Sequence, residues 1–147
     1  MLKKITVILF LLFFSISCSK NMGGDTMNIK EIIMNVNNYD LVIELIDNSS
    51  SIALIEKLKE GDIIVHAHDY GNFEKVGNLG FSLPTNDKRI TTKPGDLILY
   101  QGNQLTIYYD TNTWTFTKLG EVVNVDGEKL KEILGKSDAI LTLKKVN

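Results

Sequence analysis

The spacing of apolar and polar positions changes several times along the chain, and each change marks an element. Residues 27–36 alternate loosely, with Ile29, Ile32, Ile33 and Met34 apolar, and residues 35–38 are turn chemistry ending in Asn37-Asn38. Residues 39–46 then read as a strand, so a hairpin opens the folded part. A polar cluster at residues 47–51 is suited to capping. Beyond it Ile52, Ile55 and Leu58 recur at helical spacing until Gly61 ends the helix. Residues 62–68 are β-branched and apolar around Ile63-Ile64-Val65. Residues 70–81, with Gly71, Gly77 and Gly80, read as a Gly/Asn-rich loop. Residues 81–84 and 87–92 are short edge or loop segments, and Lys93-Pro94-Gly95-Asp96 is a turn.

The clearest strand signal follows. Residues 97–100 and 105–109 are strands joined across Gln101-Gly102-Asn103-Gln104, a four-residue hairpin connection containing glycine. Residues 113–119 alternate, with Trp114, Phe116 and Lys118 on one face, and residues 122–125 read as a further short strand. Asp126 caps a short helix carrying Leu130, Ile133 and Leu134, which Gly135 ends, and residues 139–146 form a closing strand. Strands dominate, and the two helices stand apart rather than alternating with them. That is the pattern of a mainly β protein, a closed or nearly closed antiparallel barrel with helices at its ends.

The first residues follow a different logic. Met1-Leu2-Lys3-Lys4 is a basic start, and residues 5–14 are an almost unbroken apolar run. About ten to twelve apolar residues suit a signal peptide, whereas a spanning helix needs roughly 18 or more. The run ends in Ser15-Ile16-Ser17-Cys18, which resembles the lipobox of bacterial lipoproteins. In that family the cysteine is acylated and becomes the mature N-terminus. The departure is Ser15, where leucine is usual. Cys18 is the only cysteine, so it has no partner for an intramolecular disulfide. The other reading is an ordinary secretory signal cut nearby. Stable anchoring needs more than one acyl chain, which a multiply acylated cysteine supplies. Residues 1–17 are thus expected to be a signal peptide, residues 18–26 a lipidated tether with a Gly-Gly pair, and residues 27–147 one barrel domain. The expected location is a bacterial cell envelope, with the membrane as a partner through the lipid.

Composition narrows the function. A formal net charge of -2 and a pI near 5.7 argue against nucleic acid as a partner. No nucleophile motif, phosphate loop or dinucleotide motif is present, and no cofactor is expected. His66 and His68 share one face of a strand and are weak metal candidates; Asp69 or Glu74 could complete a 2-His-1-carboxylate set. With Gly61, Glu74 and Gly80 they approximate a cupin motif, but the spacing is offset and a third histidine is lacking. Tyr100, Tyr108, Tyr109, Trp114 and Phe116 cluster on the hairpin strands, and Tyr108 and Tyr109 must point to opposite sheet faces.

Five motifs arrive in order: residues 80–84 (GFSLP), 94–100 (PGDLILY), Gly102-Asn103, Ile107-Tyr108-Tyr109 and Lys118-Leu119-Gly120. Together they make the chain resemble the bacterial cyclophilin-like fold proteins, from about residue 66 to 146 and more loosely from residue 27. The resemblance implies a closed eight-stranded antiparallel β-barrel with a helix plugging each end. True cyclophilins isomerise X-Pro bonds by holding proline in an apolar pocket while an arginine stabilises the twisted amide. Their Phe-His-Arg and Gln-Gly-Gly-Asp motifs are not matched here, and the only arginine is Arg89, in a polar segment. The expected function is therefore a binding module without catalysis. It contacts a peptide or small ligand on a face lined by Phe81, Tyr100, Gln101, Tyr109 and Trp114. The alternative is a peptidyl-prolyl isomerase with an unusual site. For the anchor, Cys18→Ser is expected to move the protein from the membrane to the soluble fraction on cell fractionation; unchanged membrane retention overturns acylation.

Overall fold

The computed structural model describes residues 29–146. The leader, Cys18 and the tether lie outside the described residues. Asn37 and Asn38 set the first turn: at φ 49° and 65° they supply the left-handed pair that a two-residue hairpin needs. They join β1 (Glu31–Val36) to β2 (Tyr39–Leu45) with Val36 opposite Tyr39. Alternate residues turn inward, burying Ile32, Met34 and Val36 beside Leu41, Ile43 and Leu45. Next comes α1 (Ser49–Glu60). The Asn48 side chain caps it by accepting the Ser51 N–H at 2.9 Å, and Leu54, Ile55 and Leu58 enter the core.

The remaining elements are β3 (Ile63–Tyr70), β4 (Glu74–Asn78), β5 (Lys88–Thr91), β6 (Asp96–Tyr100), β7 (Gln104–Tyr108), β8 (Thr113–Val122), α2 (Gly127–Leu134) and β9 (Ala139–Lys145). Asp126 caps α2 by accepting the Lys129 N–H at 2.8 Å, and Gly135 stops it at φ 64°. The strands run in the order β2-β1-β9-β3-β4-β7-β6-β8, all paired antiparallel, and β8 returns to β2. The barrel expected from the strand pattern is thus closed, with eight strands. The ninth strand, β5, hangs outside the ring on the first half of β8.

A helix lies at each end. Asn37 Nδ2 at the β1–β2 turn donates to the Ile133 carbonyl of α2 at 2.7 Å. At the opposite end of β2, Ser51 Oγ of α1 donates to the Leu119 carbonyl at 3.0 Å. Leucine and isoleucine side chains from both helices complete one continuous core with the inward faces of the strands.

Two segments depart from the sequence expectation. Residues 70–81 are not simply a loop, because they contain β4, whose buried residues include Glu74 and Lys75. Charged side chains hide a strand from a pattern reading when tertiary partners satisfy them. Residues 122–125 do not form a separate strand; β8 runs to Val122 and the chain then turns irregular. There the Asn124 side chain accepts from Val42 N and donates to the Asp40 carbonyl, both at 2.9 Å, replacing ladder bonds on that edge of β2.

Ring closure depends on three residue pairs, Ile43↔Val122, Glu44↔Glu121 and Leu45↔Gly120, with Ile46 N donating to the Leu119 carbonyl at 2.8 Å. A Cβ at Gly120 would collide with the Glu44 carbonyl oxygen and press on Ile43. Only glycine lets the backbones approach this closely. Gly120→Ala is expected to lower the unfolding free energy by about 1–3 kcal/mol, measured by urea denaturation; an unchanged midpoint would mean that the seam has slack.

Candidate functional site

Strand register builds a site on the outer face of the barrel. Directly opposite residues of antiparallel strands share a face. Tyr70, Glu74 and Tyr108 form one row across β3, β4 and β7, and His68, Val76, Thr106 and Ile98 form the next, extending onto β6. Tyr100 stands opposite Gln104 on the same face. On the far side Phe116 and Trp114 of β8 complete the wall, with Ile90 of β5 opposite Trp114. Between these side chains lies a cleft of about 480 Å³, lined by His68, Tyr70, Glu74, Val76, Tyr100, Gln104, Thr106, Tyr108, Asn112, Trp114 and Phe116.

The lining is largely a chain of aromatic contacts. Tyr70 meets Phe73 edge-on at 5.8 Å, and Phe73 stacks on Tyr108 at 6.0 Å. Tyr108 tilts onto Phe116 at 5.7 Å, and Phe116 meets Tyr100 edge-on at 6.1 Å. Ile98, Tyr108 and Phe116 form a small buried cluster of their own, separate from the barrel interior. This gives the cleft a firm floor.

One carboxylate sits among these rings. Glu74 is 8% exposed, and the Tyr108 hydroxyl donates to it while accepting from Asn112 Nδ2 at 3.4 Å. Burial pushes the Glu74 carboxyl above its ordinary value; the Tyr108 hydrogen bond and His68 pull it down by less, and Asp69 adds to the rise. Burial, then the bond to Glu74, likewise drives the Tyr108 phenol up.

The opposite faces of the same strands carry a second polar group, inside the barrel. Lys75 is fully buried, with its Nζ 2.9 Å from Asp69 Oδ1 and 2.8 Å from the Ser137 carbonyl, and it lies over the Tyr109 ring at 5.8 Å. The Tyr109 hydroxyl also donates to Asp69. Burial acts to raise the Asp69 carboxyl, but the bonds from Tyr109 and Lys75 outweigh it and hold the group below its ordinary value.

Of the five side chains expected on a binding face, the structure brings Tyr100 and Trp114 together in the cleft. Gln101 is exposed beside it, its Nε2 donating to the Tyr100 hydroxyl at 3.3 Å. Phe81 lies elsewhere, beneath Lys57 in a separate depression with Ile63 and Leu79. Tyr109 points into the barrel, and its neighbour Tyr108 faces the cleft instead. The cause is register. A four-residue connection pairs Tyr100 with Leu105, which puts Tyr109 on the same face as Tyr100. The actual turn is three residues long, with Gln101 and Gly102 at φ 52° and 75°, and it pairs Tyr100 with Gln104. A slip of one residue exchanges the faces.

The sequence singles out Glu74 only as a possible metal ligand, because β4 reads there as loop, and it does not single out Tyr70 and Asn112, which read as loop and turn residues. His66 and His68 share an exposed face as expected, and His68 reaches the cleft. Asp69 turns inward to Lys75, so it does not join the two histidines. Among the described residues no group of three or more His, Cys, Asp or Glu is placed to hold a metal ion. Arg89 stands opposite Thr115, on the sheet face away from Trp114 and Ile90.

Glu74 has a predictable signature. A carboxyl whose folded value is raised favours the protonated fold, so its ionisation costs stability as pH rises through that value. Glu74→Gln, which keeps an acceptor for Tyr108, is expected to raise Tm at neutral pH. The gap to the wild type should close as the pH falls below 4.5, the ordinary glutamate value. A lower Tm at neutral pH would contradict this account.

Comparison with known proteins agrees with the geometry. Residues 34–144 match the model of the Cyclophilin-like family. Among solved structures, the solution structure of the hypothetical protein AF2241 from Archaeoglobus fulgidus is similar, with a TM-score of 0.59 at 14% identity over 84% of this chain and 99% of that one. At such identity the likeness concerns fold alone. No match was found among curated proteins. A family match spanning most of the ring and the helices at its ends makes this chain a member of the cyclophilin-like family.

Proposed function

We propose that the protein is a binding module without catalysis that takes a peptide or small ligand in the outer aromatic cleft. In this reading it is held at a bacterial cell envelope by lipid on Cys18. The observation that carries the binding role is the cleft: Tyr70, Tyr100, Trp114 and Phe116 surround a floor of Tyr108 and Thr106, with Glu74, Gln104 and Asn112 as a few converging polar groups. Concave aromatic surface with sparse polar groups is the usual composition of a ligand site. The volume, about 480 Å³, falls in the range of small-molecule pockets.

The same cleft is poorly equipped for proline isomerisation. Its lining includes neither a lysine nor an arginine, and Arg89 faces the other way. Among the described residues no lysine or arginine is at hand to favour a twisted amide over its planar forms; the basic side chain in the lining is His68.

Amide chemical shifts of the protein, followed by NMR during titration with a fragment mixture and with a short proline-containing peptide, test both points. Shifts are expected to gather at Tyr70, Glu74, Thr106 and Trp114, with no acceleration of cis/trans exchange in the peptide. Shifts centred on Phe81, or none, overturn the cleft as the binding site. Catalysed exchange that Tyr100→Ala abolishes replaces the binding module with an isomerase.

A further inference from the structure

We propose that the cleft recognises a small organic cation, an alkylated ammonium held between aromatic faces and the Glu74 carboxylate. The inference rests on the binding role of the cleft and names the ligand chemistry. Among the described residues Glu74 is the only carboxylate in the lining, and it is more than nine-tenths buried. Among the described residues no Lys, Arg or His forms an ion pair with it, whereas the other strongly buried acid, Asp96, has Lys118 at 3.0 Å. A buried carboxylate without a counter-charge is costly, and a cationic ligand supplies what the fold does not.

The surrounding rings select the kind of cation. Aromatic faces carry negative potential and attract a positive charge that has lost its water. Tyr70, Tyr100 and Trp114 line the same cleft as the carboxylate, above the buried rings of Tyr108 and Phe116. A bare ammonium holds its hydration strongly and gains little from apolar walls, while methyl groups on nitrogen spread the charge and fit them. A neutral apolar ligand would leave Glu74 uncompensated, and an anion would meet both the carboxylate and the ring faces. A metal ion would find too few donors.

The test uses the full-length chain and its single tryptophan. Trp114, 55% exposed at the cleft, is the source of all tryptophan emission and so reads occupancy directly. Choline chloride and 3,3-dimethylbutan-1-ol, its uncharged carbon isostere, are titrated at constant ionic strength. Choline is expected to change the emission saturably and to bind at least about tenfold more tightly than the alcohol, a difference of about 1.4 kcal/mol. Glu74→Gln is expected to lose about tenfold of the choline affinity while leaving that of the alcohol unchanged. Equal binding of the two probes, or undiminished choline binding by Glu74→Gln, overturns the cation assignment and leaves the binding module standing. Silence toward both probes overturns it too; the module itself falls only if the NMR titration is also silent.

Discussion

The three residue pairs that join β2 to β8 turn a twisted sheet into a ring, and every later feature depends on them. Closure divides each strand into an inward side that fills the core and an outward side free to carry a site. It also removes the open edges of β2 and β8 at the seam. The seam contains an apparent conflict, since Glu44 and Glu121 stand directly opposite each other. Two lysines resolve it. Lys93 and Lys118 reach Glu121 at 2.7 and 2.9 Å and draw its carboxyl down to about 2, so its charge is matched locally. Glu44 remains exposed to water. Gly120 allows the backbones to meet, and the lysines allow the charges to coexist.

β4 shows how one strand serves both scaffold and site. Its neighbours Glu74 and Lys75 point to opposite sides of the barrel wall and are treated differently there. Lys75 is fully satisfied inside by Asp69, the Ser137 carbonyl and the face of Tyr109. Removing one partner from such a buried pair typically costs about 3–5 kcal/mol, so this group fixes the β3–β4–β7 arrangement. Glu74, one residue earlier, has a hydrogen bond from Tyr108 but, among the described residues, no ion-pair partner. Sites are often the places where a fold leaves a local rule unmet.

The barrel was legible in the sequence because its signals are local. The Asn37-Asn38 turn, the caps at Asn48 and Asp126, the stops at Gly61 and Gly135 and the alternation around Leu97 and Ile107 each follow from a few adjacent residues. The site was legible only in part because its composition depends on register. Reading residues 101–104 as a four-residue connection placed Tyr109 beside Tyr100, whereas the three-residue turn places Tyr108 there. β4 escaped notice for a related reason. Glu74 and Lys75 look like loop residues until their partners, more than thirty residues away in Tyr108 and more than sixty away in Ser137, are brought alongside.

The split pairing of β8 has one further consequence. Its second half belongs to the ring, but its first half, Thr113–Phe116, pairs with β5 outside it. Trp114 and Ile90 therefore ride on a two-stranded awning fastened to the cylinder mainly along one line. Substitutions that re-pitch this awning can widen or narrow the mouth without disturbing a single interior side chain. Within one architecture, the reach of the pocket and the durability of the scaffold are free to vary independently.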